Sequence, residues 1–141
     1  MCGITGYLGF REAYPIVING LQRLEYRGYD SAGISIKNNN TITTIKEIGE
    51  IKNLELSIPK NLQGNIGIGH TRWATHGDKT DINAHPHFDH KNRVALVHNG
   101  IINNYFELKK ELRDKYGIEQ KSQTDTEIVS ISSFSNGYIH V

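Results

Sequence analysis

Cysteine is almost missing from this chain. It occurs once in 141 residues, at Cys2. That excludes the intramolecular disulfide framework that holds many small secreted domains together. A charge excess of either sign is missing as well. Lys and Arg total 16 against 15 Asp and Glu, a formal net charge of +1. The chain therefore lacks the basic surplus with which nucleic-acid binders engage a phosphate backbone. No apolar run reaches the roughly 18 residues of a membrane-spanning helix. The opening Met1-Cys2-Gly3-Ile4-Thr5-Gly6 has no basic stretch and no long apolar core, so no signal peptide is read. No nucleic-acid or membrane partner is expected, and the expected location is cytoplasmic. A glycine-rich phosphate loop is also lacking, since no GxGxxG stands between a strand and a helix.

Glycine, at 14 residues, and histidine, at 7, stand out among what is present. Ile4–Leu8 reads as a strand. Glu12–Arg27 reads as a helix with Pro15 in its first turn and Val17, Leu21 and Leu24 on one face. Gly33–Lys37 and Thr41–Ile48 alternate at period 2 around Asn38-Asn39-Asn40, a hairpin. A short helix is expected within Glu50–Leu62, a strand over Asn65–His70 and another over Arg93–His98. The Gly-, Pro- and His-rich stretch Arg72–Asn92 carries neither period and reads as one long loop, a length usually reserved for function. Asn104–Tyr116 reads as a helix closed by Gly117. Thr124-Asp125-Thr126-Glu127 matches a capping box. The Ser-rich residues from Ser130 to Val141 read as a β-leaning tail that continues no helix.

Four constellations carry chemistry. Removal of Met1 would leave Cys2 with a thiol and a free α-amine on one residue. Such an amine titrates near 7.7–8.0, so part of it is neutral at pH 7 and can serve as a base. Position alone fits an inert small cysteine better. The strand end His70-Thr71-Arg72-Trp73 offers a guanidinium fork for a carboxylate and an indole wall. A surface Arg beside a buried Trp is the plain alternative. Asn99-Gly100 can donate a side-chain amide and a backbone N–H to a developing oxyanion, or can simply turn the chain. Asp125 can hold an ammonium group or act as a helix cap. His85, His87, His90 and His98 do not have metal-ligand spacing and Pro86 interrupts them, so no metal and no cofactor is expected.

Together these stretches resemble a known family. Cys2-Gly3-Ile4, the run Leu24 to Gly33, Gly69-His70-Thr71-Arg72-Trp73-Ala74-Thr75-His76-Gly77, Asn83-Ala84-His85-Pro86-His87, His98-Asn99-Gly100-Ile101-Ile102 and Thr124-Asp125-Thr126-Glu127 occur in one order. The order is similar to that of the class II glutamine amidotransferases within the N-terminal-nucleophile hydrolases. Trp73 to Gly77 and Tyr26 to Gly33 resemble most the glutaminase domain of the glutamine–fructose-6-phosphate aminotransferase (isomerizing) family.

The resemblance implies an α+β fold, a four-layer αββα sandwich in truncated form. It implies that Cys2 attacks the glutamine side-chain amide with its own α-amine as base, and that Asn99 and Gly100 form the oxyanion hole. It implies that Arg72, Trp73, Thr75, His76 and Asp125 bind glutamine, and that Arg27 orders the site. Ammonia would go to fructose 6-phosphate to give glucosamine 6-phosphate. A separate sugar-phosphate isomerase chain is an implied partner. The partial glutaminase domain is expected at residues 2–129 and a divergent tail at 130–141. Two other outcomes stay open at this point: a silent or regulatory remnant, and the glutaminase part of another class II amidotransferase.

Overall fold

The computed structural model of the chain describes residues 1–74 and 77–135. Strand β1 covers Gly3–Leu8, helix α1 Ala13–Leu24, β2 Ser31–Asn38, β3 Thr41–Ile48 and α2 Ile51–Leu56. Then follow β4 at Ile66–Arg72, β5 at His87–Phe88, β6 at Ala95–Leu96, α3 at Tyr105–Tyr116 and α4 at Asp125–Ser135. A single 3-10 turn, Glu25–Arg27, extends α1 toward the site.

The four long strands form one antiparallel sheet in the order β1-β4-β2-β3. The β2–β3 pair is the expected hairpin, with Asn39 at φ 52° in its turn. The sheet is antiparallel because β4 returns between β1 and β2 with Gly3 opposite Thr71 and Ser31 opposite Arg72. Strand alternation then sends Ala32, Ile34 and Ile36 to one face and Ser31, Gly33 and Ser35 to the other.

On the first face α1 and α2 bury Val17, Ile18, Leu21, Ile51 and Leu54 against those aliphatics. Each such side chain contributes about 1.5–3 kcal/mol when fully withdrawn from water. Helix α1 lies close because β4 carries glycine beneath it. A Cβ on Gly69 would stand 2.6 Å from Val17 and 2.9 Å from Leu21.

The second face carries the β5–β6 ribbon, with α4 and α3 behind it. Here too glycine permits contact, since a Cβ on Gly33 would stand 2.1 Å from the His85 carbonyl oxygen. Leu112, Ile128 and Ile131 make the small core under α3 and α4. The layering is thus helices, sheet, ribbon, helices: α+β, with αββα order and a second sheet of two short strands. Ile4 and Leu8, on the edge strand β1, remain exposed.

Four local expectations change. The long loop contains β5, too short to show a period. The strand expected over Arg93–His98 shrinks to Ala95–Leu96, because Arg93 and Val94 instead donate their N–H groups to the buried Asp89 carboxylate at 2.6 and 3.1 Å. Helix α4 runs through Ser130 to Ser135, where the low helix propensity of serine argued for a tail. Burial of Ile128 and Ile131 on one face overrides that weak preference. The capping box does not close either. Glu127 accepts from Lys121 and Ser122 N–H, one turn further back, and not from Thr124.

Candidate active site

Three strand ends meet at one edge of the sheet. Cys2 precedes β1, Arg72 ends the antiparallel neighbour β4, and Asp30 precedes β2. The register that pairs Gly3 with Thr71 therefore lays Cys2 beside Arg72 and Trp73. The Trp73 N–H donates to Cys2 Sγ at 3.2 Å. Cys2 is half-buried, with its thiol on a cavity of about 840 Å³. That volume lies within the range of small-molecule sites, roughly 300–1,000 Å³. Arg27, Arg72, Trp73, Asn99, Gly100 and Asp125 share its wall.

Arg72 is buried, and its guanidinium donates to the Asp78 carbonyl at 3.0 Å. Burial lowers its pKa, opposed by the neighbouring Cys2 and Asp30 side chains. Asp30 is buried under the loop that follows β4. Its carboxylate accepts from the Ala74 N–H at 2.8 Å and pairs with Lys79 at 2.5 Å. Burial raises its pKa, but Lys79, the Ala74 N–H and Arg72 together outweigh that and hold it below the usual carboxylate value.

On the opposite wall, Asn99 donates from Nδ2 to the Cys2 carbonyl at 3.2 Å. Its Oδ1 lies 2.8 Å from His70 Nε2. Gly100 leaves room for the His98 ring, which a Cβ would meet at 2.7 Å. His98 Nδ1 in turn lies 3.2 Å from the Thr126 hydroxyl. Asp125 stands at the N-terminus of α4 and accepts the Ile102 N–H at 2.8 Å, which ties the 98–102 segment to that helix. The Met1 ammonium donates to the Arg27 carbonyl at 2.7 Å, and the Arg27 guanidinium lies over the Tyr26 ring.

Residues that carry a thiol, a guanidinium, a carboxylate and an amide donor thus line one space. They are drawn from segments up to 123 positions apart, as Cys2 and Asp125 are. A zwitterionic amino acid fits such a pair of opposite charges, with a nucleophile and an oxyanion donor at its far end.

The family described as glutamine amidotransferase domain matches residues 60–138. The chain belongs to that family. Curated relatives named glutamine–fructose-6-phosphate aminotransferase (isomerizing) agree. The one from Clostridium acetobutylicum is 55% identical over 130 residues, covering 92% of this chain and 21% of its own length. Those from Thermus thermophilus and Methanosarcina mazei are 52% and 54% identical, each over 92% of this chain and 22% and 21% of their own. The chain thus spans about a fifth of the length of these relatives. A solved glutamine phosphoribosylpyrophosphate amidotransferase from B. subtilis, complexed with ADP and GMP, superposes with a TM-score of 0.81 at 29% identity. A structure described as the allosteric regulatory enzyme of purine biosynthesis gives 0.81 at 31%. Each covers 99% of this chain, which spans 30% of theirs.

In this glutamine amidotransferase domain, seven of the nine residues singled out from sequence gather on the cavity wall. Thr75 and His76 lie outside the described residues. Sequence reasoning assigned no task to Asp30, His70, His85 or His87. The three histidines pack as a row rather than converging, and among the described residues no group of three or more His, Cys, Asp or Glu is arranged to hold a metal ion. Alternation along β4 puts His70 on the same face as Arg72, the one signal that could have drawn attention to it. Among the described residues no helix is long and apolar enough to cross a membrane.

Proposed function

We propose that this domain hydrolyses the side-chain amide of glutamine with Cys2 as nucleophile. The observation that carries the reading is the placement of Cys2 Sγ, the Asn99 amide, the Arg72 guanidinium and the Asp125 carboxylate around one cavity. Arg72 holds the α-carboxylate of glutamine and Asp125 its α-ammonium. Trp73 walls the pocket and Arg27 orders the entrance, and Thr75 and His76 keep the glutamine-binding role expected from the sequence. With both charged ends fixed, the side-chain amide extends toward Cys2, so binding supplies the orientation that the reaction needs.

Removal of Met1 frees the Cys2 α-amine. That amine takes the thiol proton as sulfur bonds to the amide carbon. The carbonyl oxygen becomes an oxyanion that accepts from Asn99 Nδ2–H and the Gly100 N–H. The amine returns its proton to the nitrogen as the C–N bond breaks, which releases ammonia and leaves a thioester. Water, deprotonated by the same amine, adds to the thioester and releases glutamate and the free thiol. Glutamine and water become glutamate and ammonia, with no cofactor consumed.

Ammonia then aminates fructose 6-phosphate to glucosamine 6-phosphate. The identity to the aminotransferases, above 50% over nearly the whole chain, favours this acceptor over a phosphoribosyl one at about 30%. The sugar-phosphate isomerase site comes from outside these 141 residues. The glutaminase domain takes in residues 2–129, and α4 runs on to Ser135. The even charge and single cysteine suit a cytoplasmic setting.

The test is glutamate release from glutamine by the purified chain and by its Cys2→Ala variant. Turnover by the first and none by the second is expected. Equal turnover by both overturns the assignment.

A further inference from the structure

One row of buried side chains beside the cavity is not used by the chemistry above. His70 stacks on His85 with ring centroids 4.2 Å apart and planes 16° apart. His85 meets His87 edge-on at 4.6 Å. Desolvation holds all three imidazoles below the ordinary histidine value, His70 at about 4. One end of the row reaches Asn99, through His70 Nε2 and Asn99 Oδ1 at 2.8 Å. The other reaches Thr124, through His87 Nε2 and Oγ1 at 2.7 Å, directly before Asp125.

We infer that His70 is a positioning residue that locks the Asn99 side-chain amide with its Nδ2 toward Cys2. This rests on reading Asn99 as an oxyanion donor. A free carboxamide can turn over and exchange its oxygen for its nitrogen at little cost in shape. Turned over, it would present a lone pair to the developing oxyanion and repel it. A neutral imidazole carries one N–H. His70 Nδ1 is buried with no hydrogen-bond partner among the described residues, while the His98 backbone also bears on the ring and favours its protonated form. A buried donor left unpaired is rarer than an unpaired acceptor, so the proton belongs on Nε2. There it donates to Asn99 Oδ1, which leaves only Nδ2 to face the Cys2 carbonyl at 3.2 Å. The stack on His85 fixes the ring plane, and β4 fixes the ring position. The amide is therefore set before substrate arrives, which is what electrostatic preorganisation requires.

Two measurements decide the matter. The first needs no activity: long-range ¹⁵N–¹H spectra of the chain near pH 7 report the His70 tautomer. An Nε2–H tautomer is expected, and an Nδ1–H tautomer overturns the inference. The second is kinetic. His70→Leu should lower kcat for glutamine hydrolysis about 10- to 100-fold with KM changed less than about threefold, less than the roughly 100- to 1,000-fold for outright loss of one oxyanion donor, because Asn99 itself stays in place. His70→Gln, whose Nε2 falls near the imidazole Nε2, should recover most of kcat, and His70→Asn should not. In an Asn99→Ala background, His70→Leu should cost nothing further in kcat. If His70→Leu unfolds the chain, the Gln and Asn variants decide alone. An unchanged kcat in His70→Leu, equal rates in Gln and Asn, or a loss that adds to Asn99→Ala overturns the inference. A wild-type chain that hydrolyses no glutamine overturns the proposed function instead, and the tautomer still judges the His70–Asn99 contact.

Discussion

The Trp73 N–H donates to the sulfur of Cys2 across 3.2 Å, joining two residues 71 positions apart in the chain. The contact pins the thiol to the cavity wall without occupying its α-nitrogen. With Met1 attached, that nitrogen is a peptide nitrogen and cannot act as a base. A chain whose N-terminus is extended, or which keeps Met1, should therefore hydrolyse no glutamine. Its melting temperature should match that of the processed chain, because Met1 is 77% exposed. Glutamate release from preparations that differ only at the N-terminus checks this. Turnover by the blocked form would remove the α-amine from the mechanism.

Arg72 and Asp125 are assigned to the charged ends of glutamine, so their loss should appear in KM. A charge-assisted hydrogen bond contributes about 1.5–3 kcal/mol. Asp125→Asn should thus raise KM about 10- to 100-fold and change kcat less. Arg72→Lys should behave likewise, since a lysine cannot reproduce the planar fork. Steady-state kinetics over a range of glutamine concentrations separates the two parameters. An unchanged KM in either variant would contradict its role.

The buried histidines make stability depend on acidity. His70 is held at about 4 by burial and by the Arg72 charge, against the Asn99 hydrogen bond that raises it. His87 is held at about 3 by burial and by Lys46, His70 and Arg72. Both lie below the ordinary 6.5 of the unfolded chain. Between those values the unfolded state binds more protons, so stability rises with pH there. The contribution is complete above about pH 6.5 and is lost as pH falls toward 4 and then 3. For His70 it amounts to roughly 3 kcal/mol. Urea midpoints should drop from pH 7 to pH 4.5, and the slope should flatten in His70→Gln. A flat profile in the wild type over that interval would contradict the neutral row.

Gly33 is the position where a single methyl group should do most harm. Its Cβ would stand 2.1 Å from the carbonyl oxygen of His85, and a backbone atom cannot swing aside. Gly33→Ala should cost at least about 1–3 kcal/mol, the range for overpacking. It should also displace the His85–His87 segment from the sheet. Thermal melting and glutamine KM check both effects. A variant as stable as the wild type would mean that the segment does not lie against β2.

The long elements were legible because periodicity reports them directly. Ile34 and Ile36 alternate in β2, and Val17 and Leu21 repeat in α1, and both sets fall in the core. β5 was not legible, because two residues inside a polar loop carry no period. The extension of α4 rests on Ile128 and Ile131 joining Leu112 in one small core, which outweighs the weak helix preference of the serines. The residues on the cavity wall were readable as an ordered set of short motifs, from Cys2 to Asp125. The imidazole row was not. His70 and His85 are 15 positions apart and touch only because Gly33 lets one segment lie on the sheet. The task of Asp30 was hidden in the same way, since its partners Ala74 and Lys79 lie on the far side of β3, α2 and β4 in the chain.

The most direct measurement is the intact mass of the purified chain after incubation with an electrophilic glutamine analogue. Loss of Met1 and a single adduct on Cys2, blocked by excess glutamine and absent in Cys2→Ala, is the expected result. A processed chain that gains no adduct, or one whose labelling glutamine does not slow, would contradict an activated Cys2 in a glutamine pocket.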